Sequence, residues 1–242
     1  DEVERKRDAR NEKRLAMHQA AVARLLDVGD ANASRSGRDF IFAHFGGLYG
    51  TKENVAELRK AILQLAVMGR LVPQDPQDQP ASELLKEIEA EKKRLVQEGK
   101  IKEPKPLPPI KPEEVPYQVP KGWEWVRLGM VSEYIQRGKG PCYSEEKRYP
   151  VISQKCIQWS GFDNTVVKFI DPRSINDYSE ERFNRKNDLL WNSTGTGTIG
   201  RIGIYQDELI EYSKIVADSH VTVIRVLKLD PVYIHQFLKN PL

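Results

Sequence analysis

Seven of the chain's 15 prolines crowd into residues 103–120, EPKPLPPIKPEEVPYQVP. A run this dense in proline can be neither helix nor central strand, because each proline removes a backbone N–H and fixes φ at about −65°. Polyproline II is its natural state, which makes the run a semi-rigid connector. It separates two unlike halves. Residues 1–120 carry 21 Lys/Arg and 20 Asp/Glu but no tryptophan, whereas Trp123, Trp125, Trp159 and Trp191 all lie beyond. The expected organisation is a helical region over 1–102, the connector over 103–120 and a second domain over 121–242, with the boundary near 117–121.

The first region reads as helix. Over 2–28 the apolar positions Leu15, Val22, Leu25 and Leu26 recur at helical spacing. The first 14 residues hold six basic and five acidic side chains, the pattern of a long solvated helix or one strand of a coiled coil. Residues 30–50 are punctuated by Gly, Ser and Asn and hold an aromatic cluster at Phe40, Phe42, Phe45 and Tyr49. In the next helix Thr51 is the expected N-cap, Val55, Leu58, Ile62 and Leu65 form the apolar stripe, and Gly69 marks the end. A third helix follows Pro80, with Ser82 as its expected cap, Leu84, Leu85, Ile88 and Leu95 on one face, and Gly99 at its close. Such stripes need another helix to cover them, so the region reads as an assembly arm.

The second domain reads as α/β with short strands at 124–128, 131–137, 149–153, 165–170, 188–191, 201–205 and 221–226. A last helix over 231–239 has Asp230 as cap and Pro231 in its first turn. Polar loops between the strands, in place of regular helices, argue against a doubly wound sheet. The fold class is therefore α+β: a long, coiled-coil-like helical region joined to an α/β domain.

Composition narrows the function. The formal charge is +3, charged residues make up 30% and hydrophobic residues 39%, which implies much solvated surface. The longest mostly apolar stretch, Ala61–Val67, is far short of the roughly 20 residues of a membrane span. Cys142 and Cys156 are the two cysteines and form no CxxC, so a disulfide scaffold and a Cys-rich zinc site are excluded and a reducing cytoplasm is the default. His18, His44, His220 and His235 lack metal-ligand spacing. No cofactor and no metal are expected.

Several motifs imitate chemistry. Gly195, Gly197 and Gly200 match GxGxxG, but the following residues Arg201–Tyr205 alternate like a strand, and a dinucleotide site needs a helix there. A tight β-loop-β turn fits better, whose N–H and hydroxyl groups could still touch phosphate. Asp218-Ser219-His220 contains hydrolase residue types, but neighbours in a chain do not converge as a triad, and no GxSxG is present. Glu145-Glu146-Lys147 lacks the preceding Pro-Asp of a metal-dependent nuclease, and no Asn/Asp-Pro-Pro-Tyr/Phe segment of an amino-methyltransferase occurs. No catalytic residue is expected.

Longer motifs carry a family resemblance. Ala56–Pro76 (AELRKAILQLAVMGRLVPQDP), Pro80–Lys86 (PASELLK) and Lys105–Ile110 (KPLPPI) are similar to the helical conserved region of specificity (S) subunits of type I restriction–modification systems. Lys121–Gly129 (KGWEWVRLG) resembles the opening of a target recognition domain in that family, and Asn192–Arg201 and Asp218–Val221 resemble later landmarks. The resemblance spans roughly residues 50–242. It implies a non-catalytic subunit that reads one half of a split DNA site. It further implies helices that space the recognition domains, bind methyltransferase (M) subunits and can self-associate, with restriction (R) subunits joining the complex. A complete S subunit of this kind has two recognition domains and this chain has one, so a half-subunit or a fragment is expected, the initial Asp1 favouring a fragment.

With that resemblance, the expected phosphate contacts are Arg137, Lys139, Lys147, Arg148, Lys155 and Arg201, since flexible basic side chains on loops suit the DNA backbone. Gln154, Gln158 and Ser160 are the expected readers of base edges, with Trp159 beside them to pack on sugar or base. The competing reading is a structural coiled-coil scaffold that binds protein without reading DNA.

Overall fold

The computed structural model describes residues 1–27, 29–209 and 211–239. Val28, the end of the helix expected over 2–28, and residues 240–242, the end of the expected second domain, lie outside the described residues. The chain forms two compact units. Asp1–Asp78 with Val115–Lys121 make the first, and Gln79–Glu114 with the described residues from Gly122 onward make the second.

The first unit is helical: α1 (Glu2–Leu25), α2 (Ala31–Ala43), the short α3 (Phe45–Leu48) and α4 (Lys52–Val67). The Asp1 carboxylate caps α1, accepting from Val3 N–H at 3.0 Å. The first fully buried side chains of α1 are His18 and Ala21, so its charged leading half is solvated. The punctuated segment 30–50 is largely helix. Asp30 caps α2 by accepting from the N–H groups of Asn32 and Ala33 at 2.8 and 3.0 Å. Gly37 is there for close packing: a Cβ would sit 2.6 Å from Ala21 O on α1.

Thr51 caps α4 as expected, its hydroxyl oxygen 3.4 Å from Asn54 N. The buried stripe differs from the expected one. It runs through Asn54, Ala61 and Leu65, and Ile62 is exposed. The cause is Asn54, whose amide donates to Leu48 O at 2.7 Å and turns that face of the helix inward. His18 is buried with Nδ1 3.2 Å from the Tyr49 hydroxyl, and burial lowers its pKa, with Glu57 opposing.

The second unit begins with α5 (Ala81–Gln97). Pro80, not Ser82, is its N-cap, because Ala81 N–H is satisfied by Gly122 O at 2.8 Å and no side-chain cap is used. Ile88 and Leu95 are buried as expected, and Lys92 donates to Gly129 O at 2.5 Å. The expected strand over 124–128 does not form. Arg127 instead reaches back to the carbonyls of Pro108 and Pro109 and to Glu114, and Leu128–Val131 closes as a 3₁₀ turn.

Ten short strands follow among the described residues: β1 (Ser132–Arg137), β2 (Tyr143–Ser144), β3 (Pro150–Ile152), β4 (Ile157–Gln158), β5 (Gly161–Phe162), β6 (Lys168–Ile170), β7 (Leu189–Asn192), β8 (Ile202–Ile204), β9 (Val216–Ala217) and β10 (Val221–Val226), then α6 (Pro231–Lys239). One sheet has the order β1-β10-β7-β8 and is antiparallel throughout. The other has the order β2-β6-β3-β9, with β3 and β9 parallel, and β4-β5 is a small hairpin. Period-two alternation explains the layering. Leu190, Val221 and Val223 face a core shared with Ile152, Ile157 and Ala217, whereas Leu189, Ile202 and Ile224 face Ile234 of α6. Asp230 caps α6, accepting from Val232 N–H at 2.7 Å. Trp123 and Trp125 meet Tyr233 and Phe237 of α6 with ring centroids 5.9 and 5.8 Å apart. No described helix is long and apolar enough to cross a membrane.

A charged pair lies inside the second unit. Arg225 of β10 makes a two-pronged contact with Asp188, Nε to Oδ1 and Nη2 to Oδ2, both at 2.7 Å, and also donates to Phe183 O at 3.1 Å. Asp188 is 0% exposed; burial pushes its carboxyl pKa up, and the Arg225 guanidinium pulls against that. Breaking such a pair strands a buried charge, so Asp188→Ala is expected to cost about 3–5 kcal/mol, read from urea unfolding followed by tryptophan fluorescence. A loss below about 1 kcal/mol would show that the sheet does not depend on it.

Candidate nucleic-acid interface

Four loops converge at one end of the two sheets. Asp218, just past β9, donates its N–H to Ile152 O at the end of β3 (3.0 Å), and Lys139 N–H donates to Ala217 O (3.3 Å). Arg137, at the end of β1, uses Nε and Nη2 to hold Ser219 O, at 3.0 Å from Nε. Ser193 N–H donates to His220 O at 3.0 Å. The segments 137–139, 153–160, 192–201 and 218–220 are thereby tied into one surface.

The tightest tie joins the second and third of these. Asn192, fully buried at the end of β7, donates Nδ2 to Gln154 O at 3.0 Å. Thr198 Oγ1 donates to Gln154 Oε1 at 2.6 Å. Arg201 Nη1 donates to Gln158 Oε1 at 2.6 Å and Nη2 to Gly197 O at 3.1 Å. Gln158 Nε2 in turn donates to Lys155 O at 2.6 Å. Asn192 Oδ1, Thr194 Oγ1 and Arg201 Nε are buried in the same hairpin without a hydrogen-bond partner among the described residues.

The expected contact residues thus fall into groups. Arg137, Lys139, Gln154, Lys155, Gln158, Ser160 and Arg201 share the converged end. Lys147 and Arg148 do not join them; they precede β3 at its opposite end, where Arg148 lies over the Tyr149 ring at 5.2 Å. Lys155, Lys147 and Ser160 are exposed. Lys139 is partly engaged, 3.4 Å from Asp177 O and 5.3 Å from the Tyr178 ring centroid. Arg201 has its guanidinium turned inward, and both glutamines are half-buried with their amide oxygens already accepting.

The glycine-rich motif is a hairpin loop between antiparallel β7 and β8, as the alternation after it implied. Asp218-Ser219-His220 forms a turn in which Asp218 Oδ1 accepts from His220 N–H at 2.8 Å. Among the described residues no group of three or more His, Cys, Asp or Glu side chains could hold a metal ion.

Other contributors were not foreseen. Trp191 is 36% exposed and lies in a cross-strand row with Thr222 and Arg137, so aromatic and basic groups share one face. Lys239 of α6 approaches Trp159 O at 3.4 Å, and Trp159 itself is 54% exposed. Thr198 and Asn192 were visible only as small polar residues in a loop. Their contacts lie 38 to 44 positions away, beyond any local signal.

The fold is a helical unit and a two-sheet unit whose loops present basic, amide and exposed aromatic groups at one end. No family model matches the chain. Two curated proteins of Escherichia coli are similar to it. The type I restriction enzyme EcoAI specificity subunit is 59% identical over 95 residues, which is 39% of this chain and 16% of that protein. The type I restriction enzyme EcoEI specificity subunit is 46% identical over 136 residues, 54% of this chain and 23% of that protein. These relatives bear out the family resemblance read from the motifs, and the matched stretch spans less than a quarter of either one.

Gly195 keeps the two loops together. Its φ is +112°, and a Cβ there would sit 1.7 Å from Gln154 Oε1, whereas Gly197, at φ +78°, has open space around it. Gly195→Ala is expected to lose about 1–3 kcal/mol, more than Gly197→Ala, when the two are compared by urea unfolding. An equal or smaller loss for Gly195→Ala would mean that the loops are not locked at this point.

Proposed function

We propose that this chain is part of a non-catalytic specificity subunit of a cytoplasmic type I restriction–modification complex. Its second unit reads one half of a bipartite site in double-stranded DNA. The helices space the recognition domains, self-associate and bind the methyltransferase (M) subunits, and restriction (R) subunits join the complex; the M and R subunits carry the chemistry. The observation that carries this reading is the 46–59% identity to two proteins named as specificity subunits. The converged loops support it with the residue types that suit phosphates and base edges.

In this reading Arg137, Lys139 and Lys155 meet phosphates at the converged end, and Lys147 and Arg148 reach the backbone further along the duplex. Gln154, Gln158 and Ser160 face the groove. Near-neutral net charge is no obstacle, because a local stripe of cations is enough.

The test is gel-shift titration of the chain with M subunit on a duplex carrying the cognate split site, over a range of salt. Affinity is expected to fall steeply with salt and to exceed that for a scrambled duplex by roughly a thousandfold or more. Lys155→Ala is expected to weaken binding to all sequences alike and to lower the salt slope by about 1. Equal affinity for cognate and scrambled duplex would refute DNA reading and favour the protein-binding scaffold.

A further inference from the structure

Resting on that reading, we infer that Thr198 and Arg201 are positioning residues for the glutamines opposite them, and that Gln154 reads its base as a hydrogen-bond donor only. A free glutamine amide pairs with adenine through both ends, donating to N7 and accepting from N6. Gln154 lacks that freedom. Its Oε1 accepts from Thr198 Oγ1 at 2.6 Å and is covered by the backbone at Gly195, where even a Cβ would collide with it at 1.7 Å. Its main-chain oxygen is held by Asn192 Nδ2 at 3.0 Å, which fixes the base of the side chain. Its Nε2 has no partner among the described residues and is not among their buried unsatisfied atoms, so the amino end is not enclosed.

An unenclosed –NH2 with its carbonyl occupied matches an acceptor edge. In the major groove guanine presents two adjacent acceptors, O6 and N7, whereas an A·T pair sets its acceptors beside the adenine amino group and cytosine offers only its amino group. Gln158 is held harder still. Arg201 occupies its oxygen and Lys155 O takes one N–H of its amide, each at 2.6 Å. That assigns Arg201 to orienting the 154–158 segment instead of to phosphate. The hairpin with the misleading GxGxxG spelling is the rigid back wall of a reading head, and its glycines allow it to sit against the amide.

The experiment selects bound duplexes from a library randomised over the half-site, using the chain assembled with M subunit. Wild type, Gln154→Ala, Thr198→Val and Thr198→Ser are compared. Wild type is expected to prefer a G·C pair to an A·T pair at one position by roughly tenfold or more. Gln154→Ala and Thr198→Val are expected to relax that same position, while other positions and the salt slope stay as in wild type. Thr198→Ser, which keeps the hydroxyl, is expected to restore the preference. If Thr198→Val left every position unchanged, weakened all positions equally, or relaxed a different position from Gln154→Ala, the inference would fall while DNA reading stood. A preference for an A·T pair at the position relaxed by Gln154→Ala, the mark of an amide that both donates and accepts, would also overturn it. Absence of any preference in wild type would overturn DNA reading itself, and the inference with it.

Discussion

The geometry of the second unit depends on a buried charge that has to be paired. Arg225 enters the sheet core because Asp188 meets its guanidinium with two parallel hydrogen bonds and Phe183 O takes a third. A slip of one residue would carry Arg225 away from Asp188 and exchange the side chains that β10 sends into the two cores on its faces. The pair therefore fixes the register of β10 against β7, with Thr222 opposite Trp191 and Val221 opposite Asn192. Since β7 ends on Asn192, its register decides where the following loop begins and which residue Asn192 can hold. The geometry of the loop surface follows from a salt bridge in the core.

From that anchor the surface divides into rigid and mobile parts. Asn192, Thr198 and Arg201 fix the amide groups of Gln154 and Gln158, so those side chains lose little freedom on meeting a ligand. Lys147 and Lys155 are exposed on flexible stems, which suits contact with a regularly charged backbone. In the proposed reading the preorganised groups supply discrimination and the mobile cations supply attraction, as proteins sort base contacts from phosphate contacts.

Much of this was legible in the sequence where the signal was local. Thr51 and Asp230 announced helix starts, Gly69 and Gly99 announced helix ends, and the β propensity of Val221–Val226 announced the central strand. The failures have physical reasons. Residues 30–50 looked punctuated because Gly37 serves helix packing and Ser34 donates to Leu25 O, roles that only a neighbouring helix reveals. Ser82 was the expected cap, but Gly122 O satisfied the N–H of Ala81 first. The two-residue strands 143–144, 157–158, 161–162 and 216–217 are too short for any periodicity. At the candidate site the residue types were readable and their partners were not. Nothing in Asn192–Arg201 states that Thr198 will meet Gln154, because the two are brought together by sheet closure.

The most direct measurement of the central claim is hydrogen–deuterium exchange of the chain assembled with M subunit, with and without cognate duplex. The account predicts that the duplex slows exchange in 137–139, 153–160, 192–201 and 218–220 together, because they form one surface. Protection absent from all four segments, or confined to the helices of the first unit, would contradict it.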